Sequence, residues 1–327
     1  MIRYLIGRLG QAVFVVWAAY TLGFLLLYIM PSDPALIIAS AGQGEGGGTA
    51  SEADLAALRV ELGLDKPLIV QYITQLLGAV TLQWGESYQS NRPVLATLVE
   101  ALGPTSQLTA TALVLALVIG LVLGFAGTYF RTGPIRSFLL SLPSLAASIP
   151  TFWSGLILIQ LFSFVLPLFP AFGNAGWQSN VLPSVTLAIP AGAVIAQVFA
   201  RSMRTELAEQ YIETARARGA SRFRTQYVHA TRNAVLPVLA MFGMLTGTLL
   251  AGSVVTETVF ARQGFGRITE QAVAQQDLPV ILGVVIICAS VFALANLVVD
   301  VLFPLIDPRL ASRWRSRARA RTERTAA

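Results

Sequence analysis

Six stretches of this chain, 9–30, 101–130, 137–169, 181–200, 234–256 and 278–299, contain no Asp, Glu, Lys or Arg. Each is long enough for a helix to cross ~30 Å of hydrocarbon, which takes ~20 residues. Inside a bilayer the backbone has no water to bond, so runs of this length are expected as helices whose hydrogen bonds are all internal. A hydrophobic fraction of 55% against 12% charged residues excludes an ordinary soluble domain. The expectation is an all-α, polytopic membrane protein with six transmembrane helices.

The first run follows Arg3 and Arg8, as the apolar part of a secretory leader would. It is too long for one, and no small-residue cleavage pattern follows in PSDPAL, so a retained span is expected. Arginine positions then set the orientation. With both termini cytoplasmic, 18 of the 23 basic residues fall inside: Arg3, Arg8, Arg131, Arg136, seven from Arg201 to Arg232 and seven from Arg309 to Arg324. The reverse topology breaks the positive-inside pattern. The net charge of +6 therefore needs no nucleic-acid partner, because the arginines sit where anionic headgroups are.

Residues 31–100 read as an extracytoplasmic subdomain. A flexible AGQGEGGGTA tract precedes a short helix that Ser51 and Asp54 start and Gly63 ends. A second helix, LIVQYITQLLGAV at 68–80, follows Pro67. Gln71, Gln75, Lys66 and Glu86 shorten its apolar reach, so it is expected on the membrane surface and not as a seventh span. The organisation is thus 1–30, an N-terminal segment and first span; 31–100, the subdomain; 101–304, a core with five spans and a cytoplasmic hairpin at 201–234; and 305–327, a basic tail.

The hairpin is the most charged segment between two spans. Leu207, Ala208, Tyr211, Ile212 and Ala215 form one helical stripe, Gly219 breaks the helix, and Ser221 is placed to cap a second one. In that second helix Phe223, Tyr227, Ala230 and Ala234 share a face, flanked by Arg222, Arg224 and Arg232. On these residues alone it is either a docking element for a partner or a loop that its arginines hold at the lipid surface.

Much chemistry is excluded. The only lysine is Lys66 in LDKP, so no G-x-x-x-x-G-K-[ST] loop exists. The only histidine is His229, the only cysteine Cys288, and neither GxSxG nor HExxH occurs. No metal site, no catalytic residues and no enzyme activity of the chain's own are expected. The uncharged runs hold no carboxylate for ion coupling. They hold hydroxyls and amides instead, among them Thr105, Ser106, Thr109, Thr111, Ser141, Ser148, Ser154, Thr246, Thr248, Ser253 and Thr256. Such groups either line a neutral passage or bond the preceding turn. Gly120, Gly124 and Gly127, with Gly243 and Gly247, point to close helix packing, and Pro143, Pro150, Pro183 and Pro190 to kinks.

A passage without an engine and a docking hairpin together ask for an ATPase on another chain. Glu213, Thr214, Ala215 and Gly219, followed by Leu236 and Pro237, resemble the EAA signature of importer-type ABC transporter permeases, and the Gly219-to-Pro237 spacing resembles the dipeptide/oligopeptide/nickel branch. PSDPA at 31–35, LGLDKPLIVQY at 62–72, RPV at 92–94, TETVF at 256–260, GFG at 264–266, DLP at 277–279, and NLVVD and DPR near the end resemble that branch in the same order. Thr214 stands for the middle Ala of the signature, and Ser32 for a Gly.

The resemblance implies a type I importer transmembrane domain that pairs with a second, similar permease. It also implies two ATPase subunits holding ATP and Mg, an extracytoplasmic solute-binding protein, and a multi-pass place in a bacterial cytoplasmic membrane. It further implies that Tyr211, Glu213, Thr214, Ala215, Arg216, Gly219 and Phe223 serve ATPase coupling, with Glu213 pairing to Arg216 or to a base on the ATPase. Glu257, Arg262, Gly264, Phe265 and Gly266 would meet the binding protein. Di- or oligopeptides are the expected solute, with nickel or another small solute, or a self-sufficient channel or carrier, as the alternatives.

Overall fold

A computed structural model of the chain describes residues 2–29, 35–36, 39, 51–61, 65–130 and 132–306. The Gly-rich tract, Gly63, Arg131, most of PSDPA and LGL, and the tail beyond 306 lie outside the described residues. In chain order the helices are α1 (Ile2–Ile29), α2 (Glu52–Glu61), α3 (Leu68–Val80), α4 (Val94–Tyr129), α5 (Pro134–Ser148), α6 (Thr151–Ile159), α7 (Val181–Leu207), α8 (Gln210–Ala217), α9 (Arg222–Arg224), α10 (Thr231–Ala234), α11 (Leu236–Ala240), α12 (Phe242–Val259), α13 (Phe265–Ala274) and α14 (Leu278–Ile306). Among the described residues the only β pairing is an isolated bridge between Glu86 and Pro93.

Among the described residues five helices are long and apolar enough to cross a membrane, and α5 with the helical stretch Thr151–Val165 makes a sixth crossing only as a broken pair bent by 101°. That corrects the expectation of one kinked helix through 137–169. The break falls at Ile149, which is extended (φ −85°, ψ 125°), because Pro150 offers no N–H and disfavours helical backbone in the residue before it. Pro143 and Pro190 stay inside α5 and α7 without breaking them.

The core is built on α4 and α7. Leu108, Ala112 and Ala116 of α4 meet Leu187, Ala188, Ala191, Ile195, Phe199 and Met203 of α7, all buried. Small residues make the approach possible. A Cβ on Gly120 would lie 2.8 Å from the Gly192 carbonyl oxygen, and one on Gly124 3.0 Å from that of Ala196. No larger residue fits this crossing without separating the backbones.

Outward, the polarity of a soluble protein is inverted. Val13, Phe14 and Leu22 of α1, Val114, Val118 and Val122 of α4, and Phe138 and Leu145 of α5 are exposed, as surfaces covered by lipid are. The chain is a multi-pass membrane protein.

At the end of the bundle away from α8, the loops are fastened to the spans. Tyr72 of α3 packs its ring 5.8 Å from Tyr20 and 5.3 Å from Phe24 of α1, and its hydroxyl lies 2.8 Å from that of Thr21. These contacts dock α3, a short helix, on α1. Ser51 accepts the Asp54 N–H at 3.2 Å, the cap expected for α2. Asp277, just before α14, accepts from the Ser87 hydroxyl and from the Tyr88 N–H at 3.2 Å.

Candidate functional site

The hairpin is built from short elements, each with an identifiable cause. α7 ends at Leu207, and Glu209 is extended (φ −72°, ψ 147°) before α8 begins. The expected stripe from Leu207 to Ala215 is therefore interrupted, and of its α8 members only Ile212 is fully buried, in the cluster of Phe199, Met203 and Ala230. Glu213, Thr214, Arg216 and Ala217 point outward, with Ala215 half-buried. Gly219 turns the chain with φ +85°, a left-handed conformation that only glycine adopts without strain. Ser221 then accepts the Arg224 N–H at 3.3 Å, the cap expected for the second arm.

That second arm departs from the expected face. A π-helical turn at Thr225–Ala230 shifts its register, so Thr225, Gln226, Ala230 and Ala234 are buried while Phe223 and Tyr227 stack on each other outside, 5.6 Å apart. Phe223 also lies away from α8, its ring 5.9 Å from Phe125 and 6.5 Å from Tyr129 at the end of α4. Arg222 lies 5.1 Å over the Tyr129 ring. The structure brings Tyr211, Glu213, Thr214, Ala215 and Arg216 together on α8 with Gly219 at the tip, and places Phe223 with α4 instead.

Two polar clasps hold the hairpin, and neither is visible as a motif. In the first, Tyr211 donates to the Glu206 carboxylate at 2.6 Å, and the Asn233 amide donates to the same oxygen at 3.1 Å. Burial, then the hydrogen bond to Glu206, pushes the Tyr211 hydroxyl up to about 12, so at neutral pH it remains a donor. In the second, the buried Gln226 amide donates to the Phe125 carbonyl at 2.9 Å and to the Thr128 hydroxyl at 2.8 Å. The only sequence signal for these groups is polarity beside apolar runs, because their partners lie up to 101 residues away. The expected pairing of Glu213 with Arg216 does not form. Both side chains are exposed, and Glu213 makes no ion pair among the described residues.

At the opposite end, Glu257, Arg262, Gly264, Phe265 and Gly266 are all buried. Hydrogen bonding holds these residues, expected to meet the binding protein, inside the bundle. α12 continues past Thr256 through Val259, and the Glu257 carboxylate accepts from the Thr105 hydroxyl of α4, from Gly266 N–H at 2.8 Å and from Arg267 N–H at 3.3 Å. Thr105 accepts the Phe265 N–H at 2.8 Å in turn. Arg262 donates to the Ser179 carbonyl at 2.8 Å; burial pulls its pKa down and the charge of Glu257 raises it again. Gly264 and Gly266 permit the approach, since a Cβ on Gly266 would lie 2.5 Å from the Val254 Cα. Gln263, Glu270, Gln271, Val273, Ala274 and Gln275 are among the exposed residues of this segment.

Many of the other hydroxyls in the uncharged runs bond the preceding turn. Thr109, Ser141, Ser148, Ser154, Thr246, Thr248, Ser253 and Thr256 each donate to a carbonyl three or four residues back, at 2.8–3.1 Å.

Known proteins carry the same pattern. Residues 116–312 match the family described as "Binding-protein-dependent transport system inner membrane component", and residues 1–109 match its companion, "Binding-prot-dependent transport system membrane comp, N-term". A putative peptide transport system permease protein of Brucella abortus is 33% identical over 318 residues, covering 95% of this chain and 99% of its own. A glutathione transport system permease protein of Salmonella typhimurium is 37% identical over 317 residues, with the same two coverages. Among solved structures, the MetNI methionine ABC transporter in inward-facing conformations aligns with a TM-score of 0.53 at 18% identity, over 66% of this chain and 98% of the other. That likeness is one of fold.

Proposed function

The chain belongs to the family of binding-protein-dependent transport system inner membrane components, and on that premise we propose that it is a permease subunit of an ATP-driven importer of short peptides. The names of the Brucella and Salmonella relatives support the solute class. In this reading the chain and a second, similar permease enclose the path across a bacterial cytoplasmic membrane. Two ATPase subunits carry ATP and Mg²⁺, and an extracytoplasmic binding protein delivers the peptide. The arginine distribution supports placing the hairpin and both termini in the cytoplasm.

The observation that carries this reading is the state of α8. It is rooted in the core by one buried side chain, Ile212, while Glu213 and Thr214 of the signature and the adjacent Arg216 face solvent, and neither Glu213 nor Arg216 makes an ion pair among the described residues. An anchored helix with an exposed, charged outer face and a glycine turn fits a groove on a partner protein. Closure of the ATPase pair on ATP would displace α8, and the buried root would carry that displacement to α7. Glu213 is free to meet a basic group of the ATPase.

The test is affinity purification of the tagged chain in mild detergent, with mass spectrometry of the co-eluting proteins. Recovery of a second permease and of ATPase subunits, lost when Glu213 and Gly219 are replaced, is the expected result. A stable homo-oligomer without an ATPase would overturn the reading.

A further inference from the structure

A single buried amide fastens the second arm of the hairpin to α4, and we propose that Gln226 is the positioning residue through which movement of the hairpin reaches that helix. This rests on the ATPase-docking reading above. Gln226 is 1% exposed, and its Nε2 spans two acceptors on the last turns of α4, the Phe125 carbonyl and the Thr128 hydroxyl. Thr128 donates onward to the carbonyl of Gly124, one of the glycines through which α4 packs closely on α7, at 2.9 Å.

Directionality sets this contact apart from its neighbours. Ring and cation–π contacts have broad geometry and slide, and the other links from this arm to α4 are of that kind: Phe223 against Phe125 and Tyr129, and Arg222 over Tyr129. A buried donor held by two acceptors is either made or broken, because no water replaces a lost partner there. It passes on rotation as well as translation. The first clasp does not reach α4, since Glu206, Tyr211 and Asn233 join α7, α8 and α10. The π-turn at Thr225–Ala230 aims the amide: without its wider turn, Phe223 and Tyr227 would share the inner face with Ala230.

The experiment uses the complex with its ATPase subunits in lipid nanodiscs and reads hydrogen exchange of 210–217 and 120–129 with and without ATP and vanadate. In the wild type both segments are expected to respond. In Gln226→Leu the α8 response is expected to persist while the α4 response falls roughly fivefold, the scale of one buried hydrogen bond. Thr128→Val removes one of the two acceptors without touching the hairpin and is expected to lower the α4 response in the same direction by a smaller factor, with the double variant no worse than Gln226→Leu alone. If Gln226→Leu fails to assemble, Thr128→Val decides alone.

A wild-type α4 response in the assembled variants overturns the proposal. So does a loss of protection without nucleotide that leaves the ATP-induced change intact, because that outcome marks a structural role only. A wild-type complex whose α8 ignores ATP removes the docking reading itself, a result distinct from either.

Discussion

The two ends of the bundle are held by different chemistry. Away from the hairpin, a buried carboxylate, Glu257, gathers the Thr105 hydroxyl and two backbone N–H groups, with Arg262 buried nearby. At the hairpin end the fastenings are a neutral amide, a half-exposed Tyr–Glu–Asn group and one isoleucine. A buried charge bonded from several sides is costly to expose and separates only as a unit. Neutral and partly exposed bonds open at smaller cost, so the hairpin is the end that can move while the spans stay folded. That division suits an element driven by a partner from outside.

The largest predicted effect tests the stiff end. Glu257→Leu strands the Thr105 hydroxyl and the Gly266 and Arg267 N–H groups, and leaves Arg262 buried without its opposite charge. A loss of about 3–5 kcal/mol is expected, read as failure to accumulate or as a large drop in detergent melting temperature. Glu257→Gln keeps the shape and one acceptor and should fall between the variant and the wild type. Unchanged melting in Glu257→Leu would abolish the proposed difference between the ends.

Two glycines sharpen the contrast. At Gly266 a methyl group would press on the Val254 backbone, so Gly266→Ala should separate α12 from α13 and cost about 1–3 kcal/mol of thermal stability. At Gly219 a Cβ meets nothing, but φ is +85°, so the strain of Gly219→Val, about 1–2 kcal/mol, is confined to the tip of the hairpin. Because the tip can relax with nothing against it, Gly219→Val should insert and lose less melting temperature than Gly266→Ala, yet release the ATPase or uncouple hydrolysis from uptake. Equal melting losses in both variants would show that the hairpin is as integral to the fold as the far end.

Which of these features the sequence announced follows from how local their causes are. The Ser221 cap, the Gly219 turn, the Ser51 start and the 68–80 helix depend on neighbours within four residues, and all appear as expected. The break after Ser148 was half legible. Pro143 and Pro150 look alike in sequence, but only Pro150 has an extended residue before it, and that choice belongs to tertiary packing. Glu257 was misplaced because a charge ends an apolar run, whereas its stabilising donors come from residues 105, 266 and 267. The π-turn hid Gln226 by moving the buried face off the 3.6-residue period on which the expected face of Phe223 and Tyr227 rested.

The smallest effect probes the soft end by pH. Burial and then the Glu206 hydrogen bond raise the Tyr211 hydroxyl from 10.0 to about 12. A pKa higher in the folded than in the unfolded state means stabilisation that is complete below pH 10 and lost as pH rises through about 12. Tyr211→Phe therefore removes one hydrogen bond to a charged acceptor at neutral pH, worth roughly 1 kcal/mol, while Asn233 still holds Glu206. The difference between the alkaline absorbance titrations of the wild type and Tyr211→Phe should be a phenol with a midpoint near 12. If that phenol instead titrates at 10, the tyrosine is not held by Glu206, and the hairpin rests on Ile212, Gln226 and the Asn233–Glu206 bond, making the contrast between the two ends larger still.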